Sequence, residues 1–295
     1  MQPRRIENQL TDRGTVPVYT TAVVEQPWAE YSALDHETWR ILFERQRGVL
    51  VGRAAPEFLA NQQRLGFSAE RIPRFSELNQ LLEAATGWKL VAVEGLLPEL
   101  CFFEHLAARE FPVTWWIRRP EQIDYIAEPD LFHDLFGHVP LLMDPVFARY
   151  MQAYGAGGVR ASTFGNEPLS NLTRLYWYTV EFGLIRSPEG LRIYGAGILS
   201  SRGESIHALE SAAPNRIGFD VRRVMCTRYR IDSYQKTYFV IDSFDDLFRA
   251  TVDPDFGPIY YDLKGAESFP AGSIQPGDRV LQRGSGEGWL AEGDV

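Results

Sequence analysis

Residues 128 to 140 read E-P-D-L-F-H-D-L-F-G-H-V-P, and this run holds two of the five histidines in the 295-residue chain, His133 and His138. Leucine, phenylalanine and valine surround both rings, so both are set for burial, and a buried imidazole needs a polar partner. Paired histidines in apolar surroundings point to a metal. A helix can start at Pro129, which suits a first helical position, with Glu128 and Asp130 placing negative charge at the positive end of the dipole. At about 100° per residue, a spacing of five turns the two rings roughly 140° apart, so the i,i+4 zinc metalloprotease arrangement is absent. Gly137 loosens the backbone, and Pro140 has no N–H for the carbonyl of Phe136. The helix is therefore expected to bend or end there and let the rings converge. Two unrelated core histidines, each with its own hydrogen bond, are the alternative this segment leaves open.

A third ligand candidate stands 43 residues beyond His138, in N-L-T-R-L-Y-W-Y-T-V-E-F-G-L-I-R, residues 171 to 186. The run reads as a buried helix capped by Ser170 or Asn171, with Glu181 on a face shared with Trp177, Tyr178, Leu184 and Ile185. That is a poor place for an uncompensated carboxylate. Arg174 lies about two turns away, roughly 10 Å along the axis, too far for an easy pair. Two imidazoles and one carboxylate form the facial triad of non-haem Fe(II) sites, which leaves positions open for oxygen and substrate. The same ligands can hold zinc for hydrolysis, and a structural pair of Glu181 with another arginine is the third possibility.

Residues 128 to 142 resemble the signature of the pterin-dependent aromatic amino acid hydroxylases. W-Y-T-V-E-F-G-L at 177 to 184 and Y-G-A-G-I-L-S-S-R-G-E at 194 to 204 are similar to that family's next two blocks, in order and at matching distances. Weaker similarity runs upstream through G-W-K-L-V-A-V-E-G-L-L and downstream through Y-Q-K-T-Y-F-V-I-D-S-F. The resemblance implies that His133, His138 and Glu181 hold Fe(II), and that Arg118, with Arg119 as fallback, takes the amino acid carboxylate through its guanidinium fork. It implies that Phe102 stacks on the tetrahydropterin, Phe103 being the neighbour a one-residue slip would substitute, with Leu97 and Asp134 at the same cofactor. Pro129, Trp177 and Phe182 would wall the aromatic substrate pocket. Ser200 would orient a ligand imidazole and meet the substrate, and Gly195 and Gly197 would let their loop approach closely. Asp134 read without the family is a general base or a solvated or capping carboxylate. The implied reaction is oxidative: tetrahydropterin and O2 react at Fe(II), and an oxygen atom reaches the aromatic ring. L-Phenylalanine, giving L-tyrosine, is the substrate implied first and tryptophan second. A zinc-dependent hydrolase and a non-catalytic aromatic amino acid sensor are the readings from other classes.

A net charge of −9 argues against nucleic acid or an anionic membrane as a general partner. Cys101 and Cys226, 125 positions apart, make neither a disulfide framework nor a zinc knuckle, so a reduced, cytoplasmic setting is expected. The N-terminus M-Q-P-R-R-I-E-N lacks the apolar stretch of a signal peptide, and nowhere do about 18 apolar residues run together.

The expected architecture is mainly α with small β-sheets, a single-domain aromatic amino acid hydroxylase catalytic fold. It would comprise an N-terminal arm at 1–28, a catalytic domain at 29–264 and a C-terminal tail at 265–295. H-E-T-W-R-I-L-F-E-R-Q-R reads as an amphipathic helix with Trp39, Leu42 and Phe43 inward and His36 at the surface. Further helices are predicted at 56–65, 75–86, 98–109 and from Asp144-Pro145 to near Gly155. Strands are predicted at 89–93, 113–117 and 237–241. The Gly-rich tail has no heptads, so the resemblance is to the compact bacterial form and a monomer is expected. His105 and His207 are expected to be packing or hydrogen-bonding residues.

Overall fold

The structure, a computed structural model, describes residues 5–11, 14–19, 22–126, 128–231, 233–252 and 255–287. The extreme ends of the expected arm and tail lie outside the described residues. A hairpin, β1 (Arg5–Thr11) and β2 (Gly14–Tyr19), precedes helices α1 (Ala33–Leu50), α2 (Pro56–Arg64) and α3 (Phe75–Thr86). The Ser32 hydroxyl accepts from the Asp35 N–H while the Asp35 carboxylate accepts from the Ser32 N–H, a capping box that fixes the start of α1. Trp39, Leu42 and Phe43 all point inward as predicted, each stabilising the domain by about 1.5–3 kcal/mol through burial. His36 is more engaged than a surface residue: its Nδ1 accepts from the Ile72 N–H at 3.1 Å.

Next come β3 (Lys89–Val93), α4 (Glu99–Ala107) and β4 (Glu110–Thr114), with β4 parallel to β3. The strand predicted at 113–117 therefore lies three residues early. Lys89 pairs with Glu110 and Val93 with Thr114, so the aromatic run leaves the ladder. The Trp116 indole then donates to the Glu94 carbonyl, and the Trp116 carbonyl accepts from the Leu131 N–H. This exit delivers Arg118 to the site.

A π-helical turn at His133–His138 continues into α5 (Val139–Leu142), and α6 (Pro145–Ser162) follows. The predicted stop near Gly155 is wrong because Gly155 and Gly158 are contact points. A Cβ at Gly155 would meet Leu106 and Ala107, and one at Gly158 would strike the Phe103 ring. Glycine lets α4 and α6 touch. α7 (Asn166–Tyr176) begins at Gly165, earlier than the expected Ser170 or Asn171 cap, and runs into a second π turn, Trp177–Glu181.

The remainder is β5 (Leu184–Ser187), β6 (Gly190–Ile193), α8 (Ala196–Leu199), α9 (Arg202–Glu210), β7 (Asn215–Gly218), α10 (Val221–Met225), β8 (Thr237–Ile241), α11 (Phe244–Thr251), α12 (Gly257–Leu263) and β9 (Val280–Gln282). Residues 184–186, read in sequence as the end of the Glu181 helix, form strand β5 instead. The five-stranded sheet runs β6-β5-β8-β7-β9, with β8 parallel to both neighbours. Beyond residue 264, β9 pairs with β7, and Asp278 forms a buried 2.9 Å ion pair with Arg223. One contiguous apolar core extends from Trp39 to Leu263, so the helix-rich, single-domain expectation holds. Among the described residues, no helix is long and apolar enough to cross a membrane.

Candidate active site

Both π turns serve the same spot. In an α-helix, residues five apart point in different directions, but i→i+5 bonding adds one residue to the turn and brings the fifth residue almost over the first. His133 and His138 begin and end one such turn, and their Nε2 atoms lie 3.2 Å apart. Glu181 ends the other, with Oε2 3.5 Å from His133 Nε2 and Oε1 3.2 Å from His138 Nε2. The predicted break at Gly137 and Pro140 does not occur. Pro140, with no N–H to give, sits where the π turn becomes α5, and Gly137 is needed because a Cβ there would press on Ala196 of α8. Arg174 does not reach Glu181 but bonds Ser268 Oγ at 3.0 Å.

The donors are prepared for a cation. Ser200 Oγ donates to the Ala196 carbonyl at 2.8 Å, so toward His133 Nδ1, 2.9 Å away, it can only accept. This assigns the proton to Nδ1 and leaves the His133 Nε2 lone pair facing His138 and Glu181. Burial pushes the His133 imidazole down to about 4, against an upward pull from Glu181, which keeps the ring neutral near pH 7. His138 packs against Phe111, ring centroids 5.0 Å apart. Asp134 also comes within 4.8 Å of both imidazoles, but its Oδ2 accepts from the Thr114 N–H at 2.7 Å. Both Glu181 oxygens face imidazole nitrogens, so Glu181 is the better third donor. Burial raises the Asp134 carboxyl to about 7, opposed by His138 and the Thr114 bonds. Asp134 is thus neither solvated nor a helix cap. Two imidazoles and a carboxylate on one side fit Fe(II) and equally satisfy zinc.

Two cavities meet at this cluster, sharing Leu96, Pro129, His133 and Glu181 as a common wall. Leu97, Phe102, Asp134 and His138 line the first. Phe103 also reaches it but is buried against Gly158, whereas Phe102 is half-buried and meets Tyr176 edge-on at 5.5 Å. Phe102 therefore has the more available face. Arg118, Trp177, Phe182 and Ser200 line the second cavity. Arg119 lines neither, and its backbone N–H is held by Gln122.

Sequence reasoning missed Asp130 beyond its charge. Its carboxylate, fully buried, accepts from Arg118 Nε and Nη2, both at 2.9 Å, from the Arg118 N–H at 2.9 Å and from the His133 N–H at 3.0 Å. One side chain therefore aims the arginine of the second cavity and caps the π turn bearing His133. Glu204, buried in the wall of the second cavity, was also missed. The other histidines lie apart: His105 Nδ1 pairs with Glu110 at 2.7 Å, and burial lowers His207 to about 4. Cys101 and Cys226 are both free.

The family profile described as biopterin-dependent aromatic amino acid hydroxylase matches residues 19–252. The chain is 60% identical to a phenylalanine-4-hydroxylase of Chromobacterium violaceum over 270 residues, 92% of this chain and 90% of that protein. It is also 60% identical to one of Ralstonia nicotianae over 272 residues, covering 92% and 86%. The Chromobacterium violaceum phenylalanine hydroxylase structure with bound iron(III) and 7,8-dihydrobiopterin superposes with a TM-score of 0.85 at 60% identity, over 88% of this chain and 93% of that one. The cobalt-bound structure gives 0.86 at 61% identity, covering 88% and 92%. With the histidine spacing, the two π turns and the paired cavities, these matches leave one assignment: the chain belongs to the biopterin-dependent aromatic amino acid hydroxylases.

Proposed function

We propose that this chain is an Fe(II)- and tetrahydropterin-dependent monooxygenase that converts L-phenylalanine to L-tyrosine with O2. The observation that carries the reading is a two-histidine, one-carboxylate cluster set in the wall between two cavities, one faced by Phe102 and the other by Arg118 and Trp177. His133, His138 and Glu181 would hold the metal. Bound iron with its pterin would supply activation of O2, one atom going to the substrate ring and the other leaving with the pterin. The protein's own work is geometry. Phe102 would offer its ring to the pterin, with Leu97 and Asp134 completing that wall. Arg118 would receive the substrate carboxylate, while Pro129, Trp177 and Phe182 hold the ring and exclude water. Ser200 would keep His133 in the tautomer that presents Nε2. On the same reading, residues 29–264 form the catalytic domain between the arm and the tail, the free cysteines favour a cytoplasmic setting, and the heptad-free tail favours a monomer.

The deciding experiment is anaerobic loading with Fe(II), then addition of phenylalanine, tetrahydropterin and air, with tyrosine measured against an iron-free control. Tyrosine that requires both iron and pterin supports the reading. No tyrosine, with tryptophan also untouched, sinks it in favour of zinc-type hydrolysis or ligand sensing. Ser200→Ala should fold normally but hold Fe(II) about tenfold or more weakly, the usual cost of losing a hydrogen bond behind a ligand histidine. Iron retained against a graded chelator measures this, and wild-type retention would exclude the tautomer argument.

A further inference from the structure

We infer that Gln235, which lines neither cavity, is a positioning residue that sets the orientation of the Trp177 indole and thereby the ring-facing wall of the second cavity. The inference rests on the reading that this cavity receives phenylalanine. Trp177 is stacked on Tyr229, with centroids 4.3 Å apart and planes 16° apart, and meets Phe182 at 4.6 Å. Stacking fixes the plane of an indole but is weakly directional within it, so these contacts tolerate rotation and sliding. A hydrogen bond is directional. Trp177 Nε1 donates to Gln235 Oε1 at 3.0 Å, a polar bond that selects an orientation within the plane.

Gln235 is itself fixed through both ends of its amide and its backbone N–H. Its Nε2 donates to the Arg230 carbonyl at 3.0 Å, so the amide cannot flip without setting N–H against N–H at the indole and oxygen against oxygen at Arg230. Its backbone N–H donates to Glu204 Oε1 at 3.0 Å, and the Tyr238 hydroxyl donates to that same oxygen. Gln235 lies two residues before β8, the central strand of the five-stranded sheet. Rigidity thus passes from the sheet through an amide to the indole, and Trp177 opens the π turn that Glu181 closes. The indole and the carboxylate share one short element, so a rotated indole changes where a substrate ring rests relative to the metal cluster.

Gln235→Leu and Gln235→Met remove the acceptor at similar volume. With iron content and thermal unfolding as controls for folding, each should weaken phenylalanine binding to the oxygen-free, iron-loaded enzyme roughly five- to tenfold by calorimetry, the scale of one buried hydrogen bond. KM should follow while kcat changes less than about twofold. Tyrosine formed per tetrahydropterin oxidised should fall by about half, the remaining pterin passing two electrons and two protons to O2 as hydrogen peroxide. In a Trp177→Phe background, which has no N–H to clamp, the Gln235 substitutions should have no further effect. Unchanged binding and product ratio in the Gln235 variants would overturn the inference, as would an equal loss in both backgrounds. Should neither Gln235 variant fold, Trp177→Phe alone decides against it by behaving as wild type. Wild-type enzyme assayed alongside separates the cases: no tyrosine there defeats the proposed activity, whereas tyrosine there with indifferent variants defeats only the clamp.

Discussion

Glu181→Gln is expected to lose Fe(II) affinity by on the order of 100-fold or more and to retain less than about 1% of tyrosine formation, more than loss of a supporting hydrogen bond costs. The substitution is nearly isosteric, so packing around the π turn should survive and Tm should move by no more than a few degrees. What changes is charge. An imidazole ligand brings no negative charge, so Glu181 is the donor that offsets the dication, and an amide presents one oxygen and an NH2 group that repels a cation. Both Glu181 oxygens lie within 3.5 Å of an imidazole Nε2, so the amide nitrogen would face an imidazole whichever way it turned. Metal stoichiometry after gel filtration, followed by the tyrosine assay in excess Fe(II), tests this. Asp134→Asn is the companion. If it strips the iron while Glu181→Gln retains both metal and product, Asp134 is the third ligand and the assignment is reversed.

The Glu181 site was legible in part, for reasons that particular residues show. Hydrophobic surroundings and an odd spacing marked His133 and His138 as convergent, yet the physical device was misread. A helical wheel assumes one twist throughout, so a π turn looks like a break, and Gly137 and Pro140 were available to explain one. The same assumption carried the Glu181 helix on to residue 186, where Leu184 and Ile185 pair with β8 instead. Signals that act within a few residues were read well: the inward face of α1 and the β-branched runs at 89–93 and 237–241. The strand expected at 113–117 slipped because its register is set by a partner some 20 residues away rather than by its own aromatics. Asp130 with Arg118 and Gln235 with Trp177 were not legible at all. Their separations of 12 and 58 residues close only once β4 exits beside the first π turn and β8 docks beside the second.

Asp130→Ala is expected to cost about 3–5 kcal/mol of stability, because it leaves a buried guanidinium without its counter-ion. For a domain of this size that lowers Tm by on the order of 10 °C. Burial works against the Asp130 charge, but the Arg118 guanidinium and the backbone N–H groups of Arg118 and His133 overcome it, holding the carboxyl below its usual range. Alanine removes all four hydrogen bonds at once and orphans the backbone N–H groups of Arg118 and His133 besides the fork. Function should fall with stability: an unaimed Arg118 should raise KM for phenylalanine on the order of tenfold or more, consistent with a loosened charged clamp. The reciprocal Arg118→Ala should cost stability as well as substrate affinity, because it strands a carboxylate with no exposed surface. An apolar pair separates the two roles. Arg118→Met combined with Asp130→Leu removes both charges, so it should recover most of the lost stability while phenylalanine binding stays poor. Thermal unfolding and KM for the two single variants and the double variant complete the test. A double variant no more stable than either single one would mean that the pair is held by packing around it, and an Asp130→Ala enzyme with unchanged KM would remove Arg118 from substrate recognition.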